Sequence, residues 1–196
     1  MSGRRRTPSA ASATVELTTW YLEMRAPEQL GPARAPAIAC RLERVHKPLP
    51  AFGRYLYTAV GGDWHWRDRL GWNWDDWIQR LADPRVELWV LYAAGAPAGY
   101  AELERQPPDD VEIRYFGLIP EFCGLGLGGH LLQRAVERAW ALYPRRVWVH
   151  TCSWDGPQAR ANYEARGFQL YDTRVEQVPD PGAPIGPWPG ARGARR

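Results

Sequence analysis

The chain has 196 residues, of which 45% are hydrophobic and 24% are charged, a composition typical of a globular domain with its own core. Its formal net charge of +3 comes from the two ends, because residues 4–6 are all Arg and three further Arg lie within residues 192–196. The body is therefore slightly acidic, which argues against a nucleic-acid partner. No apolar run is long enough to cross a membrane.

The cysteines and the N-terminus indicate the cellular compartment. Three cysteines, Cys40, Cys123 and Cys152, are an odd number at wide spacing, which predicts neither a disulfide framework nor a zinc site. The basic N-terminus lacks the hydrophobic stretch of a secretory signal. We therefore expect a cytoplasmic protein without a metal, in a compartment where thiols stay reduced.

Shifts in composition divide the chain into one domain and two tails. Residues 1–13 are small, polar and basic, and they are predicted to form a disordered tail. Residues 179–196 are rich in Pro and Gly without a periodic pattern, and they are predicted to form a flexible tail. Residues 14–178 are predicted to form a single domain.

In the front part of this domain, the hydrophobic pattern predicts one strand and three helices. The segments are a strand at 15–24, a loop at 27–36, a short helix at 37–45, a helix at 52–60 closed by Gly61-Gly62, and a helix at 75–81. Residues 64–74, between the last two helices, are rich in Trp and show no clean period.

The remainder of the domain predicts a sheet with a crossover. Residues 86–93 and 98–103 predict a hairpin, and residues 111–119 predict a third strand. The later segments are a helix at 126–142, a strand at 146–151, a helix at 156–166 and a strand at 168–178. This order predicts an α/β fold with a mixed sheet, in which antiparallel strands come first and a β–loop–helix–β–helix–β unit follows.

The glycine-rich stretch 119–132 joins the third strand to the next helix. Glycines let backbone N–H groups approach a ligand closely, and a helix N-terminus adds partial positive charge, so the predicted guest is a phosphate or pyrophosphate. The spacing Gly124-x-Gly126-x-x-Gly129 also matches a dinucleotide fingerprint. That alternative is disfavoured, because the next strand ends at residues 149–153 without an acidic residue and hairpins connect the preceding strands.

The segment Pro120-Glu121-Phe122-Cys123-Gly124-Leu125-Gly126-Leu127-Gly128 resembles the pyrophosphate loop of the GNAT superfamily of N-acetyltransferases. The family pattern there is Gln/Arg-x-x-Gly-x-Gly/Ala. Cys123 stands where Gln or Arg is usual, which removes one polar anchor but keeps the backbone amides.

A second block, residues 155–168, is similar to the closing GNAT motif Asn-x-x-Ala-x-x-x-Tyr-x-x-x-Gly-Phe. Ala159, Tyr163, Gly167 and Phe168 are in register, whereas Gly156 stands at the Asn position. The two blocks occur in the family's order, and the resemblance covers about residues 86–178. It implies a GNAT fold with a splayed central sheet and acetyl-CoA as co-substrate.

The resemblance also implies which residues hold the cofactor. In the family, the strand before the loop carries a bulge, for which Gly117 is suited, and the Leu118 amide would polarise the acetyl carbonyl. The implied cofactor contacts are Phe116, Gly117, Leu118, Cys123, Gly124, Leu125, Gly126, Leu127, Gly128 and Gly129.

Two catalytic residues are implied, Glu112 and Tyr163. Glu112 stands where some family members have a catalytic glutamate, and it is the candidate base that takes the ammonium proton through a water. Its alternatives are a plain salt bridge with Arg114, or His150 as the base. Tyr163 aligns with the family tyrosine near the CoA sulfur, so it is the candidate acid, unless it only packs the last helix. Cys123 as a nucleophile is not required by direct transfer.

Strand alternation predicts the two faces around the candidate base. Glu112 and Arg114 are expected on one face, and Val111, Ile113 and Tyr115 on the other.

The resulting expectation is an enzyme that transfers acetyl from acetyl-CoA directly to a primary amine of a small molecule, as a monomer or homodimer. The alternative is a non-catalytic acyl-CoA-binding sensor or interaction module. The Trp-rich segment is expected either to form an acceptor wall suited to an apolar or cationic amine, or to pack in the core. The acidic residues Asp63, Asp68, Asp75 and Asp76 would meet an ammonium or cap helices.

Overall fold

The computed structural model describes residues 13–191 and shows one mixed sheet with helices on both faces. The strands are β1 (Thr14–Met24), β2 (Cys40–Val45), β3 (Val86–Ala93), β4 (Ala96–Gln106), β5 (Asp110–Leu118), β6 (Arg146–Cys152) and β7 (Gln169–Pro179), and the helices are α1 (Pro50–Gly61), α2 (Trp74–Ala82), α3 (Leu127–Trp140) and α4 (Ala159–Ala165). The predicted α/β class is confirmed. The predicted N-terminal tail lies outside the described residues, except for Ala13.

The seven strands follow the order β2-β3-β4-β5-β6-β1-β7. Neighbouring strands are antiparallel, except that β5 and β6 run parallel and are joined through the crossover helix α3. β1 lies between β6 and β7 and pairs with both of them. Its residues 14–18 pair in register only with β7, so these two strands extend beyond β6 as a ribbon.

The short helix predicted at 37–45 is wrong, because the chain forms β2 there and pairs with β3. Cys40 and Leu42 are half-buried while Arg41 and Glu43 are exposed, which is the alternation of a strand with one covered face. β3 would otherwise present an unpaired edge, and its pairing with β2 overrides the weak local preference of these residues.

Two apolar cores lie on opposite faces of the sheet. On one face, α3 buries Leu127, Leu131, Leu132, Val136 and neighbouring side chains against β4, β5 and β6. On the other face, α1 packs Leu56 and Val60 against β3 and β4. Helix α2 begins after Asn73, whose side chain accepts the N–H groups of Asp75 and Asp76. Helices α1 and α2 lie on the sheet face opposite to α3, and Glu112 is on the same face as these two helices.

The sheet opens at its centre, between β5 and β6. These parallel strands pair only from Asp110 to Glu112 and from Arg146 to Trp148. The remaining residues of β5, up to Leu118, pair with β4 and not with β6. This divergence is the splay implied by the resemblance, and it leaves a gap in the sheet beside the glycine-rich loop.

The C-terminal segment after β7 returns to the front of the domain. The Gly186 N–H donates to the Gly62 carbonyl at 3.0 Å, and the Arg67 guanidinium donates to the Ala183 carbonyl at 2.8 Å. A Cβ on Gly62 would lie 2.4 Å from the Gly186 backbone, so the close approach requires glycine there. No helix among residues 13–191 has the length and apolar character needed to span a bilayer.

Candidate active site

A cleft of about 1130 Å³ occupies the gap between β5 and β6. One end is formed by the glycine-rich loop and the first turn of α3. The other end is formed by residues 63–68, by the exposed end of β6 and by residues 152–159. A single cavity therefore connects the predicted phosphate loop to the predicted acceptor wall.

The glycine-rich loop has the backbone geometry of an anion site. Gly124 and Gly126 have φ values of 83° and 75°, in the left-handed region that favours glycine. Gly126 is the N-cap of α3, and no side chain among residues 13–191 accepts the N–H groups of the first turn. These N–H groups and the positive end of the helix are therefore available to a phosphate group.

Most of the predicted cofactor residues line this cleft. Those that line it are Phe116, Gly117, Leu118, Cys123, Gly124, Gly126, Gly128 and Gly129. The side chains of Leu125 and Leu127 instead pack into the core on the α3 face, so only their peptide groups face the loop. No group of three or more His, Cys, Asp or Glu that could hold a metal occurs among residues 13–191.

The bulge of β5 lies at Arg114, and its expected position at Gly117 is wrong. Tyr115 pairs with Glu102 and Ile113 pairs with Leu103, so Arg114 is the unpaired residue. The bulge brings Tyr115 onto the α1 face, although simple alternation predicts it beside Ile113.

Gly117 is required for a different reason. A Cβ at this position would lie 2.5 Å from Val60 Cγ1, because α1 packs closely over the strand.

Glu112 and His150 form a contacting pair behind the cleft. The Glu112 side chain is fully buried, and His150 lines the cleft with its side chain 35% exposed. His150 Nδ1 lies 3.2 Å from Glu112 Oε1, at ion-pair distance but without the alignment of a hydrogen bond. Gln106 Nε2 donates to Glu112 Oε2, and Arg114 Nη1 lies 3.2 Å from Glu112 Oε1. Glu112 can therefore reach the cleft only through His150 or Arg114.

Tyr163 lines the cleft from α4 and is 5% exposed. Its ring contacts Phe116 and Phe168, with ring centroids 5.9 Å away in each case. Burial raises the pKa of the phenol, and the Asp155 carboxylate raises it further. Tyr163 therefore packs against neighbouring rings and also lines the cleft. Its hydroxyl remains protonated at neutral pH.

A sequence model of the family described as "Acetyltransferase (GNAT) family" matches residues 52–168, more than half of the chain. The chain belongs to the GNAT family. An uncharacterized N-acetyltransferase of Mycobacterium tuberculosis (strain H37Rv) is 30% identical over 95 residues, which are 48% of this chain and 60% of that protein. A Mycobacterium bovis relative has the same values. This GNAT chain thus spans 60% of the length of the curated relatives it matches.

Solved structures show the same fold. A GCN5-related N-acetyltransferase from Sphaerobacter thermophilus has a TM-score of 0.60 and 15% identity, and the match covers 86% of this chain and 54% of that one. A Bacillus subtilis acetyltransferase in complex with CoA has a TM-score of 0.52 and 20% identity, with 68% and 79% covered. At these identities the likeness supports the GNAT fold alone.

The aromatic segment of this GNAT chain divides between the cleft and the core. Trp64, His65 and Trp66 line the cleft. By contrast, Trp77 is buried against α1, and Trp72 stacks on the Arg69 guanidinium. Part of the segment therefore packs in the core, and the acceptor wall stays a prediction for the part that lines the cleft.

His65 has a left-handed backbone, with φ of 60°, and burial lowers its pKa, so its ring is neutral at pH 7. Its ring lies 5.5 Å from that of Trp154, which also lines the cleft. The segment therefore contacts the loop that follows β6.

The acidic residues of the front part also lie in different places, at the start of a helix or at the cleft. Asp76 caps α2 together with Asn73, so it belongs to the helix start. Asp63 and Asp68 line the cleft.

Asp155, also at the cleft, accepts hydrogen bonds from Thr151 Oγ1 at 2.7 Å and from the Cys152 N–H at 2.9 Å. Trp66 Nε1 donates to its other oxygen at 3.4 Å. Sequence reasoning did not single out Trp154 or Tyr115, since neither lies within a recognisable motif, and Asp155 was noted only for its place in the closing motif.

Proposed function

We propose that this chain is an N-acetyltransferase that transfers acetyl from acetyl-CoA directly to a primary amine of a small molecule. The observation that carries the proposal is the single cleft that joins the glycine-rich loop to His150 and Tyr163. Family membership supports acyl transfer, and the cleft volume is of the order found for small-molecule sites. A cytoplasmic location belongs to this proposal, and it is consistent with the finding that Cys40, Cys123 and Cys152 form no disulfide.

The loop fits the diphosphate of CoA. In the part of the chain that the structure describes, its N–H groups at the start of α3 have no side-chain acceptors, and added methyl groups at Gly124 or Gly126 would require a strained backbone. The match to a CoA-bound acetyltransferase of the same fold supports this choice of group. Acetyl-CoA would supply the activated acetyl thioester, and residues 116–118 and 123–129 are the residues we propose to hold it.

The side chains of the cleft provide for both proton transfers. The acceptor nitrogen must lose a proton before it bonds to the acetyl carbon, and the departing sulfur must gain one as the carbon–sulfur bond breaks. His150 is exposed to the cleft and can accept the first proton, and its Nδ1 lies 3.2 Å from the carboxylate of buried Glu112. The neutral Tyr163 phenol can donate the second.

The experiment is thiol release from acetyl-CoA across an amine panel of amino acids, polyamines, aminoglycosides and aryl amines. We expect turnover with at least one small amine. His150→Gln should lower kcat by about 10²–10⁴-fold, and Glu112→Gln should lower it less, with unchanged affinity for CoA. The matched control is His46→Gln, which changes a histidine outside the cleft lining. Binding of acetyl-CoA without release of thiol for any amine would favour the sensor alternative.

A further inference from the structure

Asp68 stands out among the carboxylates of the cleft. Its side chain is exposed to the cleft, yet two phenols hold it in place. Tyr57 donates to Oδ1 at 2.6 Å, and Tyr115 donates to Oδ2. Among residues 13–191, no Lys, Arg or His lies within ion-pair distance of this carboxylate. The carboxylate is therefore fixed in direction, and no cation among residues 13–191 pairs with it.

Two other acidic groups near the cleft also have partners on the protein. Asp155 accepts from Thr151 and Cys152, and Glu112 contacts Arg114 and His150. Both phenols that hold Asp68 have raised pKa values, with burial as the first cause, so they remain donors at neutral pH. This wall therefore presents an oriented negative charge at Asp68.

Aromatic rings surround this charge. The Trp66 ring lies 4.9 Å from the Tyr115 ring, and Trp64 and Trp154 also line the same end of the cleft. Faces of Trp and Tyr attract cations, and a carboxylate beside them adds a charge-assisted hydrogen bond. A ring-lined site with one fixed carboxylate is suited to an ammonium group with an aliphatic stem.

This ammonium is not the nitrogen that reacts. Asp68 is bound to Tyr115, whereas His150 contacts Glu112. Because Arg114 is bulged, these two residues of β5 are two register positions apart, roughly 7 Å along the sheet. A nitrogen held by Asp68 also stays charged, and a charged nitrogen has no lone pair to attack a carbonyl. Two nitrogen positions in one cleft require two nitrogens in the acceptor.

We infer that the acceptor is a flexible aliphatic diamine or polyamine, whose second ammonium binds Asp68 between the aromatic rings while its first amine reaches His150. The inference rests on the proposed acetyltransferase function and specifies its substrate class. Asp68 is a specificity residue in this scheme, since it contacts a part of the acceptor that does not react.

The test compares amines that differ only in the second nitrogen: putrescine with butylamine, and cadaverine with pentylamine. We expect the wild-type KM for each diamine to be at least about tenfold lower than for its monoamine, the size of one charge-assisted hydrogen bond. Asp68→Asn should remove this difference, and it should leave kcat and the monoamine KM unchanged. Asp68→Glu retains the charge and should restore part of the preference.

The matched control is Asp172→Asn, which changes an exposed carboxylate paired with Arg174 on β7, away from the cleft lining. It should leave both KM values unchanged, and thermal unfolding would verify that each variant is folded. Equal KM values for monoamines and diamines in the wild type, or an equal rise for both in Asp68→Asn, would overturn the inference while acetyl transfer stands. If no amine releases thiol, the transferase proposal fails, and calorimetric titration of cadaverine into wild type and Asp68→Asn still tests the site.

Discussion

Adding one methyl group at Gly126 tests the anion site without changing charge. Gly126 has φ of 75° at the N-cap of α3, and a new Cβ would lie 3.4 Å from the Ala35 carbonyl oxygen. An L-residue in the left-handed region costs about 1–2 kcal/mol. If the loop keeps its conformation, Gly126→Ala should lower Tm by about 2–4 °C for each kcal/mol in a domain of this size.

The same cost can appear in ligand affinity. If the alanine loop relaxes in the free protein, the bound conformation must be restored, and 1–2 kcal/mol corresponds to a roughly 5- to 30-fold weaker Kd for CoA. Differential scanning calorimetry and isothermal titration with CoA measure the two contributions on the same sample. The free-energy cost of the strain must therefore appear as a lower melting temperature, as a weaker affinity for CoA, or as a combination of the two.

Gly128→Ala is the matched control, because Gly128 is the second residue of α3 and its new Cβ would meet Leu118 Cδ1 at an ordinary 3.6 Å. Alanine should stabilise this helical position by about 0.5–1 kcal/mol, and because it adds no backbone strain it should change the CoA affinity less than Gly126→Ala. The two variants add the same atoms two residues apart, and only Gly126→Ala should lose stability, CoA affinity or both. Full stability together with full CoA affinity in Gly126→Ala would refute the reasoning.

Three further predictions concern buried groups. Tyr163→Phe should lower kcat while the KM for acetyl-CoA and the Tm stay unchanged, and an equal kcat would remove the acid role of Tyr163. Because burial raises the Tyr163 pKa, the wild-type rate should show no loss from ionisation of this phenol below about pH 10. At about pH 8, iodoacetamide should label exposed Cys123 before Cys152, because burial raises the pKa of Cys152 to about 11. Bound CoA should slow the labelling of Cys123. If CoA does not change this labelling, the assignment of the loop as the CoA site is contradicted. Glu102→Gln should lower the free energy of unfolding in urea by about 3–5 kcal/mol, because Arg69 and Arg80 lose their buried partner; a loss below about 1 kcal/mol would contradict this.

The features of the site that depend on local sequence were predictable. The glycine loop requires left-handed residues followed at once by an amphipathic helix, and both properties are visible in consecutive letters around Gly126. Tyr163, in the closing motif, lies on α4 beside the cleft as its position in that motif suggests. Each of these inferences needed only the conformation of one short segment.

The features that depend on pairing between distant segments could not be read from the pattern. One unpaired residue at Arg114 moves Tyr115 to the opposite face, and nothing local specifies where a partner strand accommodates an extra residue. The contact between Glu112 and His150 follows from the parallel pairing of Glu112 with Trp148, which places His150 two residues further along the same face. The anchoring of Asp68 by Tyr57 and Tyr115 likewise depends on how α1 lies over β5.

The position of β1 affects how the protein can fold during synthesis. Both neighbours of this strand, β6 and β7, are more than a hundred residues later in the chain. While the ribosome makes the intervening helices and hairpins, β1 has no native partner and presents two unpaired edges. Closure of the sheet must therefore be a late event with large sequence separation, a topology associated with slow folding and with exposure to aggregation.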